Sequence, residues 1–147
     1  MSSIYLPAED SYLLLKVLGE EISKLIKKNS DLKFLEIGSG SGIILETAKK
    51  LGIKQEHILG VDINQQAVNH CQSLGFNCIY SNLFETFKGG LIVKGNLVPL
   101  QFDVIVFNPP YLPEDSREPT DSQLATTGGF QGSEIINEFL KEAENYL

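Results

Sequence analysis

Apolar residues along this chain follow two rhythms. Lys33–Ile37, His57–Val61, Phe76–Tyr80 and Asp103–Phe107 are short, nearly continuous apolar runs, the pattern of strands covered on both faces in a parallel sheet. Between them apolar positions recur at helical spacing. Leu14, Leu18, Ile22 and Leu25, flanked by Leu15 and Ile26, predict a helix from Asp10 or Ser11 to Lys28, with either residue as its cap. Ile43, Ile44, Leu45, Ala48 and Leu51 predict a second helix, and Ala67, Val68 and Cys71 a third over about Gln65–Leu74. Ile135, Ile136, Phe139, Leu140 and Ala143 predict a buried face on a last helix, Ser133 to about Tyr146. Strands alternating with helices imply βαβ units, hence an α/β fold whose mostly parallel sheet is flanked by helices. Two segments break the rhythm. Residues 88–101 hold L-I-V-K between Gly89-Gly90 and Gly95-Asn96, a small hairpin or a loop, and 113–132 form a long polar stretch of the kind that carries function or lacks order. The whole reads as one domain, residues 1–147, opening with a helical region over 1–30.

The last strand runs straight into N-P-P-Y, Asn108–Tyr111. Each proline fixes its own φ and pushes the preceding residue toward an extended conformation, so Asn108 and Pro109 are expected to be stiff at the carboxyl end of a strand. Open α/β sheets bind their ligands there. The Asn108 carboxamide oxygen and the Pro109 carbonyl are two acceptors in a fixed relation, with the Tyr111 ring beside them. A planar –NH2 group can donate one hydrogen to each while its plane stacks on the ring. The alternative is a strand stopped by two prolines, with a solvated asparagine.

A glycine loop, G-S-G-S-G at 38–42, follows the first strand, and Asp62 closes the second, 22 residues after Gly40. The dinucleotide fingerprint G-x-G-x-x-G needs a third glycine at position 43, which is isoleucine here. A phosphate cradle is thereby disfavoured. A looser loop beside an adenosyl-methionine tail fits, with Asp62 placed to accept the two hydroxyls of a ribose.

Composition narrows the picture further. The apolar fraction of 42% and charged fraction of 21% are those of an ordinary globular domain. No apolar run approaches roughly 18 residues and no basic-then-apolar amino terminus is visible, so neither a membrane span nor a signal peptide is expected, and the cytoplasm is the expected location. Cys71 and Cys78 lack a metal-ligand spacing and are expected in the core, and no metal site is expected. The net charge of −7 disfavours DNA or RNA as substrate and favours a basic protein partner.

Four stretches together resemble one family: Y-L-P-A-E-D-S at 5–11, L-E-I-G-S-G-S-G at 35–42, V-D-I-N at 61–64 and F-N-P-P-Y at 107–111, with G-G-F-Q-G-S-E at 128–134 as a weaker fifth. The chain is similar to the HemK/PrmC class of S-adenosylmethionine-dependent methyltransferases, and especially to the short archaeal and eukaryotic branch. That branch methylates the glutamine of the Gly-Gly-Gln loop in class-1 translation release factors. The resemblance implies a Rossmann-like class I methyltransferase fold, sheet order 3-2-1-4-5-7-6. It implies that Glu36, Gly38, Ser39 and Gly40 line the methionine end of the cofactor and that Asp62 holds the ribose. Ile63 would pack on the adenine, with Asn82 and Leu83 at its edge and Ser11 reaching in from a P-A-E-D-S lid. Where the family commonly has Asp, this chain has Asn82, whose carboxamide oxygen still accepts. Asn108 and Pro109 would grip the substrate amide, flanked by Pro110 and Tyr111, with Asn108 also bordering the cofactor.

The chain stops at Leu147, short of the usual seven strands, which leaves 103–107 as an apolar edge covered by a missing tail or by another chain. At the other edge, 76–80, the resemblance implies a small zinc-binding activator subunit that adds a strand. Three competing readings remain: an N6-adenine methyltransferase on DNA or RNA, a non-catalytic cofactor-binding subunit, and, weakened by Ile43, a nicotinamide-dependent oxidoreductase.

Overall fold

A computed structural model of the chain describes residues 9–98, 100–113, 123 and 126–147. Its elements in chain order are α1 (Glu9–Ile26), β1 (Phe34–Ile37), α2 (Ile43–Lys50), β2 (Ile58–Asp62), α3 (Gln65–Ser73), β3 (Asn77–Tyr80), β4 (Leu91–Val93), β5 (Asn96–Val98), β6 (Val104–Phe107) and α4 (Glu134–Ala143). The main sheet is parallel, in the order β3-β2-β1-β6. This is the 3-2-1-4 half of the expected order. The 88–101 segment contains a hairpin, β4 against β5, separate from the main sheet.

Each main strand starts one residue later than its apolar run. Lys33 and Asp103 instead form a crosslink at the base of β1 and β6: the Lys33 amide donates to Asp103 Oδ2 at 2.8 Å and the Asp103 amide donates to the Lys33 carbonyl at 2.9 Å. His57 closes a short 3₁₀ turn, Gln55–His57, and Phe76 ties back to the Cys71 carbonyl at the end of α3. Asp62 belongs to β2 itself.

Alternation along the strands splits the core into two layers. Phe34, Ile58 and Cys78 pack with Leu18 and Ile22 of α1, Ile44, Leu45 and Ala48 of α2, and Val68 and Cys71 of α3. Leu35, Ile37, Leu59 and Val61 pack with Phe84, Phe87, Phe102 and Ala143 on the other face. Both cysteines are free and buried, as expected of core residues.

Two expectations are corrected. Helix α1 already includes Glu9, so Asp10 and Ser11 lie in its first turn rather than capping it. Leu140 is exposed, because the inner face of α4 is carried by Ile135, Phe139 and Ala143. Strand β6, despite its central-strand apolar run, ends the main sheet among the described residues as the expected apolar edge, with only Val106 fully buried. No described helix is long and apolar enough to cross a membrane.

Candidate active site

The carboxyl ends of β1, β2, β3 and β6 open into one cleft of ≈ 670 Å³, within the roughly 300–1,000 Å³ typical of small-molecule sites. Every residue singled out from the sequence lines it: Ser11 from α1, Glu36, Gly38, Ser39 and Gly40 from β1 and its loop, Asp62 and Ile63 after β2, Asn82 and Leu83 after β3, and Asn108, Pro109, Pro110 and Tyr111 after β6. Of the expected P-A-E-D-S lid, residues 7 and 8 lie outside the described part, as do 114–122, 124 and 125 of the polar 113–132 segment.

The start of the glycine loop is tied to β2 by backbone hydrogen bonds. Gly38 and Ser39 donate to the Val61 carbonyl at 2.7 and 3.0 Å, and Gly38, Gly40 and Gly42 all have positive φ. Gly42 precedes the first turn of α2 at φ 79°, where a Cβ would meet Leu74 and Cys71 Sγ at 3.2 and 3.3 Å. The third glycine is therefore required by conformation and packing one position before the dinucleotide fingerprint would need it.

Two carboxylates frame this end. Asp62 accepts from the Gly40 amide through Oδ2 and the Asn64 amide through Oδ1, both at 2.8 Å. Burial raises its pKa from the ordinary value, against those stabilising backbone bonds. Each oxygen keeps a further lone pair for a ligand hydroxyl. Glu36 is 2% exposed, and its Oε2 has no partner among the described residues. Burial first, then Cys71 and Asp62, hold its carboxyl well above the usual range. A buried acceptor lacking a partner beside a cleft suits a cationic ligand group. Ile63 is 40% exposed at the same cleft, and Leu83 adopts φ 45°, a strained conformation for leucine.

The other end is built from distant pieces. Asn108 Nδ2 donates to Asp10 Oδ2 at 2.8 Å, joining residues 98 apart in sequence. Beyond Tyr111 the chain is braced by 126–134: Leu112 donates to the Thr126 carbonyl and Gly128 to the Leu112 carbonyl, both at 2.9 Å. A Cβ on Gly128 would lie 2.6 Å from the Pro110 carbonyl, and one on Gly132 2.5 Å from that of Tyr111. Glu134 closes this turn by accepting from the Gln131 and Ser133 amides. These contacts, and the part of Asp10, escaped the reading of the sequence. The clustered glycines of G-G-F-Q-G were the available signal for the turn, whereas nothing local pointed to Asp10.

A nucleotide-sized cleft over a parallel sheet, with a glycine loop at one end and N-P-P-Y at the other, defines an α/β methyltransferase. The family model described as ribosomal protein L11 methyltransferase (PrmA) matches residues 15–109, well over half of the chain. A putative protein N5-glutamine methyltransferase of Methanocaldococcus jannaschii is 41% identical, covering 98% of this chain and 66% of that protein. Methyltransferase HEMK2 of Homo sapiens is 30% identical over 94% of this chain and 64% of its own length. The eRF1 methyltransferase catalytic subunit mtq2 of Schizosaccharomyces pombe is 29% identical over 98% and 68%. The chain belongs to this methyltransferase family, and within it to the HemK/PrmC-type protein glutamine methyltransferases. It spans about two thirds of the length of these relatives. The family match takes in the glycine loop and Asp62 but ends inside N-P-P-Y.

Proposed function

We propose that this protein transfers a methyl group from S-adenosylmethionine to the side-chain amide nitrogen of a glutamine, that of the Gly-Gly-Gln motif of a class-1 release factor. The observation that carries this reading is that Asn108 and Pro109 border the same cleft as Glu36, Gly38 and Asp62. The residues present fit the cofactor. The lone Glu36 oxygen suits its ammonium group, the second lone pairs of Asp62 suit ribose hydroxyls, and exposed Ile63 offers an apolar surface to a flat base beside Asn82 and Leu83.

When bound, S-adenosylmethionine would supply an electrophilic methyl group on a sulfonium and leave as the neutral thioether S-adenosyl-L-homocysteine, while the amide nitrogen that gains the methyl gives up one N–H proton to water at the open cleft. An amide nitrogen is a poor nucleophile because its lone pair is delocalised, so the protein's task is orientation. Asn108 Oδ1 and the Pro109 carbonyl each accept one N–H of the substrate carboxamide, and Tyr111, half exposed at the rim, covers its face. Holding reactants in a near-attack geometry is worth several kcal/mol of barrier.

The M. jannaschii relative's name supports the glutamine reading, and the word "subunit" in the S. pombe relative's name supports a partner. Edge strand β3, with Tyr80 exposed, is the proposed docking strand for a small zinc-binding activator. A translation factor as substrate agrees with a cytoplasmic location.

The test is transfer of a labelled methyl group to a Gly-Gly-Gln-containing release factor, set against duplex and single-stranded nucleic acid, with calorimetric titration of S-adenosylmethionine and NAD. Label on the glutamine and binding of S-adenosylmethionine alone are expected. Label on adenine would replace this reading with the nucleic-acid one.

A further inference from the structure

The N-P-P sequence raises a question of side-chain orientation. An asparagine amide has two near-isosteric faces, and only one of them presents an acceptor. Asparagine oxygens commonly turn back onto the backbone N–H two residues on. Here both following residues, Pro109 and Pro110, are prolines and have no N–H to offer. The oxygen of Asn108 therefore has no local donor to capture it. Its nitrogen, by contrast, has a partner brought from the far end of the chain, Asp10 Oδ2 at 2.8 Å, in a half-buried contact at the cleft wall. A carboxylate offers acceptors only, so the amide facing it must turn Nδ2 toward it and Oδ1 away.

We infer that Asp10 is a positioning residue that selects the Asn108 rotamer presenting Oδ1 to the substrate, while the two prolines deny that oxygen the backbone N–H groups of the next two residues. The inference rests on the glutamine-amide reading above for its consequence, since a donor –NH2 is met productively only by an acceptor. The carboxylate also polarises the amide it accepts from, making Oδ1 a stronger acceptor. Asp10 acts through Asn108 and contributes no atom to the transfer.

The test has one arm independent of catalysis. In a ¹H–¹⁵N spectrum of the protein, the side-chain amide pair lost in Asn108→Ala is that of Asn108. In the native protein one of its protons is expected downfield and slow to exchange. In Asp10→Ala it is expected to move upfield and exchange faster, while Asp10→Asn, which keeps an acceptor oxygen, lies between. In the kinetic arm, with a Gly-Gly-Gln peptide and labelled S-adenosylmethionine, Asp10→Ala is expected to lower kcat by about tenfold or more, the scale of a misplaced reacting group. Its dissociation constant for S-adenosylmethionine is expected to stay within about twofold of native, since an orienting contact to Asn108 leaves the cofactor contacts in place. Pro110→Ala, which restores an N–H two residues on, is expected to lower kcat as well. The exchanged pair Asp10→Asn with Asn108→Asp is expected to recover activity over Asn108→Asp alone. A native-like amide signal in Asp10→Ala, or an exchanged pair no better than Asn108→Asp, overturns the inference. A native protein inactive on the peptide but showing the shifted signal overturns only the glutamine reading.

Discussion

The two ends of the cleft are constructed differently. At the proposed cofactor end, Glu36 to Asp62 fall within 27 consecutive residues, Glu36 and Asp62 are under 10% exposed, and the loop is fixed to the adjacent parallel strand by the Val61 carbonyl and the Asp62 carboxylate. At the substrate end, the N-P-P-Y tip is half-buried and takes its neighbours from residue 10 on one side and residues 126–134 on the other. The first end is a product of local chain geometry; the second is an assembly. A ligand shared by a whole class of enzymes needs only the first, while a particular substrate has to be met by the second. Perturbations at the two ends should therefore separate cleanly, those at one in cofactor affinity and those at the other in turnover.

The largest expected effect is at the tip. Asn108→Ala removes one of the two acceptors proposed for the substrate amide and should lower kcat by about 10²-fold or more, the cost associated with losing reactant positioning. Cofactor affinity, measured by calorimetry, should change far less. Equal losses in both would mean that the two ends are not separable.

Gly128→Ala is a sharper test, because Gly128 lies outside the tip itself. Its Cβ would sit 2.3 Å from the Gly132 carbonyl and 2.6 Å from that of Pro110, and both are backbone atoms with little room to yield. Overpacking of this kind costs about 1–3 kcal/mol, read as a lowered melting temperature. The forced shift of Pro110 should lower kcat by about tenfold, with the S-adenosylmethionine dissociation constant nearly unchanged.

The contrast also accounts for what the sequence made legible. Glu36, Gly38, Gly40 and Asp62 announce themselves because strand, loop and helix start follow one another in the chain, and the apolar runs delimit them. Phe107 to Tyr111 were legible for the same reason. Asp10 looked like a helix cap, since a carboxylate at a helix start has a sufficient local explanation and its partner lies 98 residues away. Gly128 and Gly132 sit in a polar segment without periodicity, where only the fold reveals which backbone they must approach. The central-strand pattern of β6 likewise records burial on both faces, and hydropathy cannot say which neighbour provides it.

The cofactor end makes a prediction in pH. Glu36 and Asp62 both have folded pKa values above their ordinary 4.5 and 3.8, with burial the leading cause. Folded protein then binds more protons than unfolded protein as pH rises past those ordinary values, so stability falls with increasing pH through that window. The melting temperature of cofactor-free protein should decline as pH rises above those ordinary values, and Glu36→Gln should flatten the decline, leaving the smaller contribution of Asp62. Saturating S-adenosylmethionine should flatten it too, because a cation beside Glu36 favours its charged form. An unchanged slope in Glu36→Gln would remove Glu36 from the account.

The smallest effect tests whether the cofactor end also uses apolar contact. Ile63 keeps 40% of its surface exposed although it borders the cleft, an arrangement that wastes burial unless a ligand covers it. Truncation to alanine removes three carbons from that surface while leaving the Asp62 bonds to Gly40 and Asn64 in place. Loss of that partly covered area is worth about 1 kcal/mol, or about fivefold in dissociation constant. The same change should leave kcat at saturating cofactor near native, because no atom of Ile63 belongs to the tip. A variant that binds the cofactor normally but turns over slowly would place Ile63 with the assembled end and redraw the division between the two.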